Sequence, residues 1–259
     1  MWLGNNRGTR YSNVNPYYPE ECEERWDFSW AEMGEYDIPA MIDLIISKTG
    51  WSKVTYLGYS MGTTQMFFGL TQLQHDYYAD KLHKFIALAP CIYLNKRGYN
   101  DYTYGIGALR NLGIWVMNGP NWEHDKKVIC KYLGPSACMN AMVISGQPQP
   151  IRSREWYAQI AVEGRFQEYA PDYLYGERKQ PLIGGGLSEL TEVPIHFIVG
   201  QDDSHCSLEN AHRIAREIGP AVQSVSTIRG GTHLYFETST DPRYVDLIVQ
   251  QIEAPTFFL

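Results

Sequence analysis

Apolar residues at Ile38, Met41, Ile42 and Ile45 follow the spacing of one helix face, with Asp37 and Pro39 at the start of the run and Lys48 and Gly50 at its end. The spacing predicts an amphipathic helix within residues 29–48, opened by Asp37 ahead of Pro39 and stopped by Lys48 and Gly50. The pattern then changes: Lys53-Val54-Thr55-Tyr56-Leu57 is short and β-rich, and after Gly58 the stretch Met61 to Leu73 lacks proline and has enough apolar residues for a buried helix. Two further runs, Phe85-Ile86-Ala87-Leu88-Ala89 before Pro90 and Ile195-His196-Phe197-Ile198-Val199 before Gly200, are almost wholly apolar, as parallel strands covered on both faces are. Leu208 to Ile218 returns to helical spacing, Ser224 to Ile228 gives a fourth strand, and Tyr244 to Ile252 a closing helix. The order βαβ, interruption, βαβα predicts an α/β fold, a mostly parallel sheet flanked by helices.

The interruption, residues 91–190, is long, aromatic and irregular, with glycines at 184, 185 and 186 near its exit. A structureless loop of that length does not fit inside a compact domain, so a folded insertion is expected. Residues 1–90 and 191–259 would form the core and 91–190 a cap or lid over the C-terminal edge of the sheet, where open α/β folds bind ligands. Ile106, Leu109, Leu112, Trp115 and Val116 could form an apolar cap face, although serving as the cap's own core is the commoner role for such residues.

Composition narrows the partners. The 259 residues are 44% hydrophobic and 20% charged, as in an ordinary globular protein, and a net charge of −7 with no basic cluster among aromatics argues against nucleic acid. No apolar stretch of about 18 residues could span a bilayer, and the start Met1-Trp2-Leu3-Gly4-Asn5-Asn6-Arg7 lacks a signal-peptide layout. The compartment stays open. Five cysteines, Cys22, Cys91, Cys130, Cys138 and Cys206, show no CxxC spacing, which argues against structural zinc or a dense disulfide framework. Only Cys130 and Cys138 are close enough in sequence to suggest a pair. There is no Asn-x-Ser/Thr site, no dinucleotide glycine fingerprint and no metal-ligand pattern, so no cofactor is expected.

Gly58-Tyr59-Ser60-Met61-Gly62 is a G-x-S-x-G sequence between a predicted strand and a predicted helix, the context in which a sharp turn presents a nucleophilic serine. The alternative is a strand-to-helix turn with a hydroxyl cap. A serine hydroxyl needs a base to take its proton and a buried carboxylate to orient that base. Gly200-Gln201-Asp202-Asp203 follows the third strand and Gly231-Thr232-His233 the fourth, so acid and base come in the order Ser, acid, His at strand ends. Asp202 and Asp203 compete for the acid role, and either could instead cap the following helix or lie solvated. His196, inside a strand, and His212, on a helix, read as structural histidines. His205, in a loop beside the site, is a weaker candidate.

Trp2-Leu3-Gly4-Asn5-Asn6-Arg7-Gly8, Trp26-Asp27-Phe28-Ser29, Tyr36-Asp37-Ile38-Pro39-Ala40 and the elbow with Thr63-Thr64 resemble the acid-lipase family of α/β-hydrolases. That family includes lysosomal acid lipase, gastric lipase and fungal steryl ester hydrolases. The likeness resumes at Val193-Pro194-Ile195, Gly200 to Asp203 and His233-Leu234, and is weak in the cap, where Gly164-Arg165-Phe166-Gln167 is the best fragment. The resemblance implies an α/β-hydrolase fold with Ser60 as nucleophile, Asp203 as acid and His233 as base, acting on a lipid ester. Met61 stands where most relatives have glutamine, but the oxyanion donor there is a backbone N–H that either residue supplies.

Relatives also carry a preceding region with early strands and a His-Gly motif that supplies a second oxyanion donor, and this sequence contains no counterpart. The strand at 53–57 would then expose unpaired backbone and an apolar face. Three sources could fill the slot: a partner polypeptide, a neighbouring subunit, or a segment outside this sequence. Two functions follow as expectations. One is a serine ester hydrolase working through an acyl-enzyme on Ser60; the other is a catalytically silent, hydrolase-like structural subunit complemented by another chain.

Overall fold

Ser29 starts the first α-helical segment with a capping box: its hydroxyl accepts from the Ala31 amide at 3.1 Å, and Glu32 accepts from the Ser29 amide at 2.7 Å. One turn, Trp30–Glu32, passes through a π turn, Met33–Asp37, into helix α1, Ile38–Thr49, which ends at Gly50 with φ 75°. Asp37 therefore does not open the helix as its place before Pro39 suggested. The chain is already helical there, and the Asp37 carboxylate is taken by Arg7, whose backbone N–H and Nε donate at 2.9 and 2.7 Å. At Gly34 the π turn lies directly on the next helix, since a Cβ would sit 2.2 Å from the Gln65 carbonyl oxygen.

The structure, a computed structural model, describes residues 1–19, 21–73, 77–95, 149–171 and 180–255, with 114, 116–117, 125, 127–128 and 131–132 between them. The core is a four-stranded parallel sheet, β1 Val54–Tyr59, β2 Leu82–Leu88, β3 Ile195–Gly200 and β4 Val222–Ile228, arranged in that order. Helix α2, Met61–Leu73, joins β1 to β2; α3, Ile151–Glu163, lies between β2 and β3 in the chain; α4, Leu208–Ile218, joins β3 to β4; and α5, Arg243–Glu253, follows β4.

Alternation along each strand explains the apolar runs. Phe85, Ala87 and Phe197 join Ile42, Met66 and Phe67 in the larger core, whereas Ile86, Leu88, Ile198 and Ile228 pack with Tyr244, Leu247 and Ile248 on the other face. Several strands extend beyond the apolar run that signals them. β1 continues to Tyr59, and β2 begins at Leu82 and includes buried Lys84. The Lys84 ammonium donates to the carbonyls of Gln251, Ile252 and Ala254, acceptors that the end of α5 leaves unmatched.

Between β2 and β3, α3 packs on the helical entry: Trp30 and Trp156 have ring centroids 4.2 Å apart, and Ser153 accepts from the Trp30 amide. Val116–Met117 pairs antiparallel with Gln149–Pro150. Ile106, Leu109, Leu112, Trp115, Cys130 and Cys138 lie outside the described residues. Gly184, Gly185 and Gly186 all have positive φ, and a Cβ on Gly184 would sit 2.5 Å from the Thr71 carbonyl oxygen. No helix among the described residues is long and apolar enough to cross a membrane.

Candidate active site

Because the four strands are parallel, the segments after them emerge on one edge of the sheet. Ser60 follows β1 directly with φ 52°, a left-handed conformation that costs a non-glycine residue roughly 1–3 kcal/mol. Hydrogen bonds hold it there: its amide donates to the Leu88 carbonyl at 3.0 Å, and its carbonyl accepts from the Thr63 amide at 2.9 Å and the Thr63 hydroxyl at 2.6 Å. Gly58 makes the turn possible, because a Cβ there would meet the Gly62 carbonyl oxygen at 2.7 Å.

The structure brings Ser60, His233 and Asp203 together. Ser60 Oγ lies 2.9 Å from His233 Nε2, and His233 Nδ1 lies 2.8 Å from Asp203 Oδ2. Asp203 is buried, 4% exposed, and its other oxygen accepts the amides of His205 and Cys206 at 2.8 and 2.9 Å. Three hydrogen bonds thus fix the carboxylate in place facing the imidazole. Asp202 is exposed; its amide donates to the Gly231 carbonyl at 2.8 Å. Met61 is the first residue of α2, so its N–H belongs to the turn that has no intrahelical acceptor.

The other histidines separate by position. His205 lies beside the site, its ring centroid 5.3 Å from that of His233. His212 is exposed on α4. His196 is buried in β3, with Nδ1 2.9 Å from Ser224 Oγ and no partner for Nε2; burial, and then the Lys84 charge, push its pKa down to about 4. Among the described residues no three His, Cys, Asp or Glu side chains group to hold a metal ion.

Sequence reasoning missed two features. Tyr59, the variable residue of the elbow, donates its hydroxyl to the His233 carbonyl at 2.7 Å and sets its ring 5.4 Å from the imidazole. Burial first, then Glu237 and Asp203, raise its pKa, so the phenol stays a donor. Cys91 and Cys206 form a disulfide across 115 residues of sequence, a separation that leaves no local signature.

No protein-family model matches the chain. It is 40% identical over 246 residues to Lipase 1 of Drosophila melanogaster, and 46% identical over 144 residues to gastric triacylglycerol lipase of Mus musculus. Those alignments take in 85% and 55% of this chain. The chain is an acid-lipase-like α/β-hydrolase. The lysosomal acid lipase/cholesteryl ester hydrolase of Macaca fascicularis is 32% identical over 143 residues, 55% of the chain. The acid-lipase-like chain spans 55% of the length of Lipase 1 and 35% of each of the other two. In fold it is similar to BpoC of Mycobacterium tuberculosis, with TM-score 0.51 and 16% identity, covering 95% of this chain and 78% of that one. It is also similar to a soluble variant of the monoglyceride lipase of Saccharomyces cerevisiae, with TM-score 0.50 and 13% identity, covering 84% and 66%.

Proposed function

We propose that this chain carries the catalytic core of a serine ester hydrolase that cleaves apolar carboxylic esters through an acyl-enzyme on Ser60. The observation behind the proposal is the unbroken contact from Ser60 Oγ through His233 to buried Asp203 at the strand ends. With the Nδ1 proton donated to Asp203, Nε2 is the acceptor that takes the Ser60 proton as Oγ attacks the ester carbonyl. The Met61 N–H faces the developing oxyanion, and Asp203 stabilises the imidazolium. His233 then protonates the departing alkoxide, and water hydrolyses the acyl-enzyme by the same route; no cofactor takes part. The names of the relatives, a triacylglycerol lipase and a cholesteryl ester hydrolase, favour acylglycerols or steryl esters as substrates.

The same reading assigns an occupant to the open side of the sheet. Among the described residues β1 is paired only with β2, and a cavity of about 980 Å³ runs beside it from Trp2 and Val54 to Ser60 and His233. Met41 and Ile45 of α1 and Ile248 and Ile252 of α5 line it, and Leu57 of β1 is 43% exposed. Unpaired strand backbone beside apolar side chains is unfavourable in water, and an added β-strand satisfies both. We assign this groove to β-structure from polypeptide beyond these 259 residues, which would also bring the second oxyanion donor. The outward-facing amides of β1 are then protected from hydrogen exchange in natively isolated protein; free exchange there refutes the assignment.

The test of the activity is to label natively isolated protein, with whatever copurifies, using a fluorophosphonate probe and to map the adduct by peptide mass spectrometry. An adduct on Ser60 that is absent from Ser60→Ala supports the proposal. An unlabelled Ser60 beside a labelled control hydrolase restores the reading of a silent structural subunit.

A further inference from the structure

The Cys91–Cys206 disulfide joins two segments that each hold part of the triad. Cys91 lies just past β2, bonded to the nucleophile turn through both backbone groups. Its amide donates to Thr63 Oγ1 at 2.9 Å, and Thr63 in turn donates to the Ser60 carbonyl. Its carbonyl accepts from Thr64 Oγ1 at 2.7 Å, and the Thr64 hydroxyl accepts from Tyr157 at 2.6 Å. At the other end, the Cys206 amide donates to Asp203 Oδ1 at 2.9 Å. The connections close a ring: Ser60, Thr63, Cys91, Cys206, Asp203, His233 and back to Ser60. Both cysteines are buried, Cys206 completely.

We propose that Cys91 and Cys206 are positioning residues, whose disulfide fixes the acid loop against the nucleophile turn so that Asp203 meets His233 in the reactive geometry. The proposal rests on the triad reading above. Asp203 sits on a loop rather than on a strand, and loops are the parts of a fold that drift most. The bond that carries its orienting amide is the one covalent link between that loop and the β2 side among the described residues. Asn95 holds the same loop more weakly, its amide donating to the His205 carbonyl at 3.4 Å and its side chain to the Ser204 carbonyl at 2.8 Å. Loss of the disulfide should therefore leave the loop docked but imprecisely placed. Misplacement of a catalytic group by about 1 Å can cost on the order of a hundredfold in rate.

The experiment compares the natively isolated protein with Cys91→Ala/Cys206→Ala, which leaves no stray thiol at the site. A second pair, Cys91→Val/Cys206→Ala, restores lost volume if the first fails to fold. Thermal melts establish folding, kcat and KM on a short-chain ester are separated, and proton NMR follows the downfield Nδ1–H of His233. A folded variant should keep KM within about twofold, lose roughly 10- to 100-fold in kcat, and show that resonance broadened or gone. A folded variant with parental kcat and an unchanged resonance overturns the proposal and leaves the disulfide as a stability cross-link. If the parent neither turns over esters nor labels at Ser60, the ester hydrolase reading fails separately. The NMR comparison then still decides whether the disulfide positions Asp203.

Discussion

His196 should make this fold sensitive to mild acid, and the size of the effect can be worked from its surroundings. The Ser224 hydroxyl donates to Gln251 Oε1 at 3.3 Å, so it accepts from His196 Nδ1–H, and the unprotonated Nε2 is buried without a partner. A proton on Nε2 would have no acceptor and would add a second charge near Lys84, which is why burial and Lys84 hold the pKa at about 4 against an ordinary 6.5. The unfolded chain therefore binds this proton below pH 6.5 while the folded chain refuses it down to pH 4, so stability falls as pH falls through that window. At 1.36 kcal/mol per pKa unit, this residue costs about 2 kcal/mol by pH 5 and about 3 kcal/mol by pH 4, with almost nothing lost at pH 7. Urea unfolding of natively isolated protein and of His196→Leu at pH 7, 6 and 5 separates this from every other titrating group. The stability difference between the two should shift by about 2 kcal/mol in favour of the leucine variant between pH 7 and pH 5. Parallel curves over that range would show that His196 charges freely in the folded state.

Two further outcomes follow. Asp203→Asn should lower kcat on an ester by about a thousandfold or more, because His233 loses the anion that sets its tautomer, while exposed Asp202→Asn should stay within about threefold; steady-state kinetics on both variants decide, and equal losses would contradict the acid assignment. Gly200→Ala puts a Cβ 2.3 Å from the Gly231 carbonyl oxygen, where the loops bearing Asp203 and His233 cross, so urea melts should show roughly 1–3 kcal/mol lost together with ester turnover; Gly50→Ala, with φ 75° but nothing within 4 Å, should cost about 1 kcal/mol and leave activity alone.

What the sequence made legible is what local chemistry constrains. Strands covered on both faces are apolar along most of their length, so β2 and β3 stood out, and the turn after β1 needs glycine at 58 and a short residue at 60. Strand ends of a parallel sheet share one edge, so Ser60, an acid after β3 and a base after β4 could be placed together before any distance was measured. The choice between Asp202 and Asp203 was not legible from the residues, because one residue along a loop reverses which carboxylate faces inward. Which carboxylate lies against His233 turns on backbone bonds: the Asp202 amide goes to Gly231, and the amides of His205 and Cys206 converge on Asp203, which is why Asp203 is the acid proposed above.

The features that escaped share one physical cause: each is a pairing between residues far apart in sequence, chosen by packing rather than by neighbours. Cys91 finds Cys206 because the segments after β2 and β3 run side by side, although Cys130 and Cys138 are the closer pair in sequence. Lys84 sits in an otherwise apolar strand because the end of α5, some 170 residues later, presents three carbonyls to it. A composition rule that keeps lysine out of cores has no access to that compensation. The open edge of β1 is the converse case. On the assignment proposed above, its hydrogen-bonding groups and the apolar walls beside it are one half of a sequence-distant pairing, and the docked β-structure is the other. The 2.9 Å contact between Ser60 and His233 can thus form from this chain alone, whereas the two-donor oxyanion site proposed here needs what docks on β1.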